Sequence, residues 1–530
     1  MHGMTLDRQT MLSRMLAADA AFDGRFITGV MSTGIYCLPS CRARKPKPEN
    51  VVFYVGPPEA RQAGLRPCRR CCPDAFYGGG GVQETQIEAL HTLPVGELRD
   101  VPGLARVAGV SVRSLHSLLL EQLGCSPADY LNRRRVRQAQ EELLSSDASA
   151  AQIAFGAGFQ NLSTFGAQFR RLTGLSPSAF RALPGNTGFQ LGLPAHYPAA
   201  AMLLDLGRDR LGTTGQVNGN TYRLGLNLPS GAQVVELGFT GQQVKVNCQR
   251  PLSVADASAL HRILWRVLGL HAQPVKLGTF AAASPLRRVV EAAPGLRVPL
   301  SPTPFDALVW AVLGQQVTFT FACTLRQRLC QRLNTALDAN LYAPPTPAQV
   351  LTLSADDLTR LGLTRRRAET LLRVAQLTHS GELDFSPDTP FSRISRQLSA
   401  LRGVGVWTTQ YALLRGFGAP DAVPVGDTAL ATALQDVFQL PHRPSAPEVT
   451  DLMKPFAPHR SLATFHLWQH FARLQRASQQ HSTAQYELRL NRPFRAMKSD
   501  RPCKAAQQRE WERNGFRAWN PPSGVFPDGG

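Results

Sequence analysis

The sequence predicts a multidomain chain, mainly α with α+β parts, and three observations carry that prediction. The first is length: 530 residues exceed a single hydrophobic core several times over, and 43% hydrophobic content suffices to fill more than one. The second is a repeated change of pattern. Short runs around cysteines in residues 25–77 give way, after Gly78-Gly79-Gly80-Gly81, to helical periodicity over 83–182. Period-two alternation follows, then helical periodicity again over 254–480. The third is cysteine usage: of ten Cys, four of the first five form two close-spaced pairs, and the rest beyond them are scattered. The expected segments are a small α/β unit at 1–78, an all-helical unit at 83–183, a small antiparallel sheet at 190–256 and a helical body at 257–482. The last stretch, 483–530, is basic and lacks periodicity, and disorder is expected there.

Charge narrows the function classes. A formal net charge of +20 points to a polyanionic partner, nucleic acid before any other. The N-terminus MHGMTLDRQTMLSRML has no apolar run long enough for a secretion signal, and no stretch of 18 apolar residues exists, so no membrane association is expected. A reducing, cytoplasmic compartment fits the cysteine distribution.

In the first segment, Cys37-x3-Cys41 and Cys68-x2-Cys71 are two ligand pairs separated by 26 residues. Four thiolates so spaced suit a tetrahedral zinc ion, and spacing alone favours a closed structural site. Cys72, beside the second pair, is a spare thiol that competes with Cys71 as ligand. The flanks say more: T-G-I-Y-C-x-P-S-C-x-A-R, then P-E-N-V-x-F-Y, then G-x-R-P-C-x-R-C-x-P-D. This run over 22–77 resembles the N-terminal domain of Ada-type adaptive-response regulators. The resemblance implies that Cys37 irreversibly accepts a methyl group from a DNA methylphosphotriester. Methylation would remove one negative charge near DNA and so raise affinity. Arg42, Arg44, Lys45, Lys47, Arg66, Arg69 and Arg70 surround the cysteines and suit phosphate contact.

The second segment holds two similar units. Leu104-Ala105-x-x-Ala108-Gly109-Val110-Ser111 leads into one helix, and Ile153-Ala154-x-x-Ala157-Gly158-Phe159 into another. A long amphipathic helix over Pro127–Leu144, with the basic run Arg133-Arg134-Arg135, separates them. Gly158-Phe159-Gln160-Asn161-Leu162-Ser163-Thr164-Phe165 and the closing Gly174-Leu175-Ser176-Pro177 resemble the AraC-type double helix-turn-helix domain. Recognition helices are then expected at about 112–122 and 162–172, with Arg113, His116, Gln160 and Gln168 as candidate groove contacts.

Residues 184–195, rich in Gly and Pro, read as the next boundary, and alternation over 196–250 as a small antiparallel sheet. Further on, Leu401-Arg402-Gly403-Val404-Gly405-Val406-Trp407-Thr408 reads as a Gly hairpin between two helices. Such a turn presents backbone N–H groups at the start of the second helix, a phosphate-binding geometry. Pro424-Val425-Gly426-Asp427 ends the following loop, where Asp427 alone would be read as an ordinary N-cap. Together these residues, over about 190–475, resemble the helix-hairpin-helix–Gly/Pro–Asp DNA glycosylases, in the alkylated-base, 3-methyladenine (AlkA-type) branch. The resemblance implies Asp427 as catalytic carboxylate and Trp407 and Tyr411 as base-pocket aromatics, with Gly403 and Gly405 on the DNA backbone. Gln316, in the matching run Pro304–Val317, takes the position of the residue that wedges into the base stack. Bifunctional members carry a nucleophilic Lys where this chain has Trp407, so a monofunctional enzyme is expected. Only Cys503 follows the domain, so the four-cysteine iron–sulfur cluster of some relatives is not expected. His459 stands where some relatives have a pocket Trp.

The expectation is a fused alkylation-damage protein: a zinc-dependent methyl acceptor, a transcription regulator and a glycosylase for 3-methyladenine and 7-methylguanine. Double-stranded DNA is its partner, with RNA polymerase a further candidate. Two other readings stay open: a methylation-activated regulator whose C-terminal part only recognises damage, and a repair enzyme whose helix-turn-helix units merely hold DNA.

Overall fold

The computed structural model describes residues 6–19, 22–41, 43–68, 70–71, 73–77, 81–97, 100–272, 275 and 284–490. Arg42, Arg69, Cys72, residues 78–80 and residues 491–530 of the tail therefore lie outside the described residues. The chain forms two compact units, Met1–Arg473 and Leu474–Gly530, and everything below concerns the first unless stated.

The N-terminal part pairs α1 (Arg8–Leu16) with a four-stranded sheet built from β1 (Ile27–Val30), β2 (Ile35–Cys37), β3 (Val51–Tyr54) and β4 (Arg66–Pro67). Their order is β3-β1-β2-β4, with β4 parallel to β2 and the other pairs antiparallel. Helices α2 (Pro57–Gln62) and α3 (Pro73–Tyr77) complete it over a core of Ile27, Tyr36, Leu38, Ala60 and Leu65. Gly29 in β1 lies so close to its neighbours that a Cβ would meet the Tyr54 ring at 2.5 Å and Leu65 at 2.6 Å.

Seven helices follow: α4 (Val82–His91), α5 (Val101–Val107), α6 (Val112–Leu123), α7 (Pro127–Ser145), α8 (Ala150–Gly156), α9 (Leu162–Thr173) and α10 (Pro177–Arg181). All but α4, which starts after Gly81, carry a capping side chain: Asp100, Ser111, Ser126, Ser149, Asn161 and Ser176 each accept a first-turn backbone N–H. The expected helices at 112–122, 127–144 and 162–172 are α6, α7 and α9 with ends one residue further on. The two halves are built differently. The first has its own core, including Ile87, Leu90, Leu104, Leu115, Leu119 and Tyr130. In the second, Ile153, Phe165, Phe169 and Phe180 share a continuous core with the sheet that follows.

That sheet begins earlier than the alternation suggested. Residues 184–195 contain β5 (Gly188–Gly192), which pairs antiparallel with β9 (Gln243–Cys248). Glycine content made the stretch read as a linker, but Gly188 and Gly192 sit where backbone approaches backbone: a Cβ on Gly188 would lie 2.9 Å from the Val246 carbonyl. Residues 199–206 are a helix, α11 (Ala199–Leu206), rather than a strand. The full order is β5-β9-β8-β7-β6, all antiparallel, with β6 (Gly215–Asn218), β7 (Thr221–Leu228) and β8 (Gly231–Thr240). Helix α12 (Val254–Val267) packs into the same core through Leu260 and Leu264.

The helical body surrounds the helix Pro304–Leu313, buried from Phe305 to Leu313. The lead helix Phe391–Ser399 enters the Gly hairpin, and the helix Val406–Ala412 leaves it. That second helix continues into a π-helical turn over Leu413–Phe417, where the buried Arg415 pairs with Asp205 at 2.8 Å. Helix Thr428–Val437 starts at Asp427, and the closing helix runs Arg460–Leu490, past the expected start of the disordered tail at 483. Among the described residues no helix is long and apolar enough to cross a membrane.

Candidate active site and metal centre

Asp427 is where the body's elements converge. Its Oδ1 accepts the Leu430 N–H at 2.9 Å, so it is the N-cap that the sequence suggested. It is also more than a cap. Trp407 donates its indole N–H to Oδ2 at 3.1 Å, and Trp468 donates to Oδ1 at 3.1 Å. Three N–H donors on two oxygens fix the plane of the half-buried carboxylate. Trp407 stacks on Tyr411 with ring centroids 5.3 Å apart and 27° between planes, and Tyr411 meets Trp468 at 6.1 Å. Trp407, Tyr411 and Asp427, proposed from sequence as one site, are thus brought together.

The scaffold of this site is polar and specific. Gly403 has φ +90°, and a Cβ there would sit 2.0 Å from the Thr370 hydroxyl, so the hairpin turn admits glycine only. Gly405 caps Val406–Ala412 without a side chain, which leaves first-turn N–H groups with no side-chain partner. Gln315 donates to the Gly403 carbonyl at 2.9 Å and to Thr408 Oγ1 at 3.0 Å, tying the hairpin to the turn after Leu313. Its neighbour Gln316 is exposed, with φ +54°. The Gly/Pro loop is pinned by Gln410, which accepts the Val423 N–H at 3.1 Å, and by a bidentate Arg460–Asp421 pair.

Two residues of this region, Trp468 and Arg208, escaped the sequence reading. Trp468 lies within the helical periodicity over 254–480, and nothing in spacing tells a pocket Trp from a core Trp. His459, expected at the rim, precedes the Arg460 that grips Asp421. Arg208, from the loop after α11, donates to the Tyr411 hydroxyl at 3.2 Å and lies over Trp310 and Phe319 at 5.6 and 5.8 Å. Burial opposes its charge, but Tyr411 and Asp205 hold its pKa above the ordinary guanidinium value. No local pattern announces an arginine two hundred residues away from its partner.

In the N-terminal part, Cys37, Cys41, Cys68 and Cys71 place their Sγ atoms within 4.8 Å of one another. Metal–sulfur bonds of about 2.3 Å in a tetrahedron need sulfurs about 3.8 Å apart, so the four fit one ion. Backbone N–H groups of Leu38 and Arg70 point to Cys71 and Cys68 at 3.3 and 3.4 Å. Among bare thiols the charge settles on Cys41, which hydrogen bonds from Cys37 and Cys71 hold far below the ordinary thiol range. The hydrogen bond to Cys41, that to Cys71 and burial push Cys37 far above it. A cation among the four sulfurs is what would make Cys37 a thiolate at neutral pH.

The expected phosphate contacts divide. Arg44 is exposed, as is the candidate groove contact Arg113 on α6. Lys45 instead donates to the Met15 carbonyl and, at 2.8 Å, to the Cys41 carbonyl, bracing the metal loop. The run Arg133-Arg134-Arg135 is also internal wiring: Arg133 donates to the His271 carbonyl at 2.7 Å, Arg134 to Leu93 at 3.0 Å, and Arg135 lies over Phe159.

Comparison with known proteins agrees with this three-part architecture. Residues 10–74 match the metal binding domain of Ada, 104–183 a helix-turn-helix domain, and 309–458 the HhH-GPD superfamily of base excision DNA repair proteins. Those matches define the class: a regulator with a metal-binding domain, fused to a base-excision fold. The chain is 30% identical over 472 residues to a probable bifunctional transcriptional activator/DNA repair enzyme AlkA of Mycobacterium tuberculosis, covering 85% of this chain and 94% of that one. It belongs to that family of bifunctional transcriptional activators and DNA repair enzymes. It is also 32% identical over 167 residues to the bifunctional transcriptional activator/DNA repair enzyme Ada of Escherichia coli, covering 32% of this chain and 47% of that one. A solved 3-methyladenine DNA-glycosylase from Archaeoglobus fulgidus matches 53% of this chain and 98% of its own, at 21% identity and a TM-score of 0.47.

Proposed function

We propose that the chain excises alkylated purines, 3-methyladenine and 7-methylguanine above all, from double-stranded DNA, with Asp427 as the catalytic carboxylate. The observation that carries this is a carboxylate gripped by two indoles, one of which stacks on Tyr411. An alkylated purine is cationic and leaves easily once flipped from the duplex. Electron-rich Trp407 and Tyr411 favour it over a neutral base by about 1–2 kcal/mol when desolvated. Asp427 then stabilises the oxocarbenium-like sugar as the N-glycosidic bond breaks, and orients the water that replaces the base. Gly403 and Gly405 hold the backbone, and exposed Gln316 fills the vacated stack. Asp427→Asn is expected to bind abasic-site duplex nearly as well as the parent while losing most release of 3-methyladenine. Release by the variant within a few-fold of the parent would overturn Asp427 as the catalytic carboxylate. With Trp407 in the place of an amine, borohydride should trap no protein–DNA adduct.

A second activity rests on the four converging sulfurs. Cys37, Cys41, Cys68 and Cys71 would hold Zn2+, whose charge keeps them as thiolates when bound. The Cys37 sulfur takes a methyl group from a methylphosphotriester: an S–C bond forms, the C–O bond breaks, and the phosphodiester leaves as an anion. Peptide mass mapping after exposure to such DNA should find one methyl, on Cys37; a methyl on another cysteine overturns the assignment. The double helix-turn-helix, with Arg113 exposed on α6, would then carry the signal to promoter DNA.

A further inference from the structure

The lead helix Phe391–Ser399, which delivers the chain to the Gly hairpin, has no N-cap of its own. The residue before it is Pro390, and no side chain of the preceding loop bonds its first turn. Ile394 and Leu398 fix one face against the body core. The other needs at its N-terminus are met from the regulatory part. Gln122, near the end of α6, accepts the Ser392 N–H through its Oε1 at 3.2 Å. Glu84 of α4 is 1% exposed; it takes the Ser392 hydroxyl at 2.9 Å and both Arg396 Nη atoms at 2.6 and 2.7 Å. Arg393 adds Glu88 and, at 3.6 Å, Glu84 again. An acceptor on a first-turn N–H and an acidic group at the positive end of a helix are what an N-cap supplies.

The contact is close as well as polar. Gly124, the left-handed C-cap of α6 at φ +64°, lets the end of that helix reach both sides of the site's scaffold. A Cβ there would stand 3.2 Å from Pro420 Cδ and 3.6 Å from the Phe391 ring. Pro420 opens the loop that ends at Asp427. A buried carboxylate must be paired, so Glu84 holds this geometry at a cost to any other.

We propose that the first half of the regulatory domain is a positioning element of the repair site: Glu84 and Gln122 cap the lead helix across the domain boundary and so set the hairpin that grips DNA. Glu84 touches no substrate; it acts through Ser392, Arg396 and the helix axis. Because coupling is reciprocal, whatever shifts α4 and α6, such as DNA seated on α6, shifts the hairpin's hold on damaged DNA, and the reverse. The repair consequence rests on the proposed function; the capping role itself does not.

The test uses the full chain. With Glu84→Ala, affinity for a duplex carrying a tetrahydrofuran abasic analogue should fall roughly five-fold, as one lost cap predicts. KM for methylated DNA should rise alike, with kcat within two-fold. Hydrogen exchange of amides 392–404 should quicken while amides of β7 and β8 stay protected. Gln122→Ala, a milder change that leaves the ion pairs intact, should show the same pattern at smaller size. The swapped pair Glu84→Arg with Arg396→Glu should recover part of the affinity. Unchanged exchange over 392–404 in both variants, or a fall in kcat at constant KM, would overturn the proposal. If the parent releases no base, exchange and abasic-site affinity still decide it, so failure of the two readings is distinguishable.

Discussion

The two helix-turn-helix halves look alike in sequence and join the rest of the molecule in opposite ways. The second half is welded. Its Phe169 and Phe180 rings and the sheet residues Leu191, Leu224 and Val246 belong to one core, the Gly192 N–H donates to the Gly174 carbonyl at 3.0 Å, and His261 of α12 bonds the Thr173 carbonyl at 2.8 Å. The first half keeps a separate core and meets the body through Glu84, Arg137–Asp388, Arg393 and Arg396. A polar crevice of about 430 Å³, lined by Glu88, His91, Arg134, Arg137, Asp388 and Arg393, remains between them. A shared apolar core makes two parts one cooperative unit. A polar, ionic interface is of the kind that lets parts move. The lesson is that internal sequence repeats predict repeated folds but not repeated docking.

The sharpest way to break this comparison is at Phe180, 1% exposed and edge-on to both Phe169 and His261. Phe180→Ala should cost about 3–5 kcal/mol in denaturant unfolding. If the core is shared, amides of α9 and of β9 should lose exchange protection together. Loss confined to α8–α10 would show the second half to be as separable as the first.

The junction should also respond to acid. Burial, opposed by the Thr173 carbonyl, lowers His261 from an ordinary value of about 6.5 to about 4 in the fold. Its Nδ1 faces Gln140 at 3.4 Å, so the neutral ring is bonded on both nitrogens. A depressed value means that the unfolded chain takes the proton first. The contribution is therefore complete above pH 6.5 and is lost as pH falls towards 4. Between pH 7 and 5 the loss is about 2 kcal/mol, seen as a lower denaturant midpoint. His261→Gln should flatten that part of the profile; an unchanged profile would mean the ring does not titrate as its burial demands. The interface of the first half behaves differently. Glu84 and Asp388 are held below the ordinary carboxylate range by their arginines against the opposing effect of burial, so it should persist until pH falls below that range.

Legibility follows the same division between local and distant causes. Capping residues announce α6, α7, α9 and the helix after Asp427, because a cap is chemistry within three residues. The hairpin glycines and the thiol pairs are likewise local, and their geometry was expected. Strand β5 was not: Gly188 and Gly192 signal a loop by composition, and only the distant backbone they meet, β9 at Gly188 and the Gly174 carbonyl at Gly192, shows why a side chain cannot be there. Trp468, Arg208 and Glu84 act on partners 41, 203 and 312 residues away, and no periodicity encodes such a pairing. The Arg133–Arg135 run is undecided by sequence for a related reason, since charge shows as charge whether it faces solvent or bonds carbonyls inside.

The smallest expected effect is the most discriminating for the first half. Arg137 reaches Asp388 with both Nη atoms, one at 3.2 Å, and its side chain is 40% exposed against 24% for Asp388. Water screens a pair so placed, and the conformational freedom lost in holding it offsets much of the attraction. Arg137→Ala should therefore cost below about 1 kcal/mol, and a double-mutant cycle with Asp388→Ala should return a coupling of the same size. The change should shrink further in salt, while exchange over 384–390 quickens. A coupling above about 3 kcal/mol is the size that only a fully desolvated pair gives when one partner is removed. That outcome would mean both halves are welded, and the contrast between them would vanish. A small coupling that fades with added salt would instead mark the first half as a part able to loosen from the repair body while the second stays fixed.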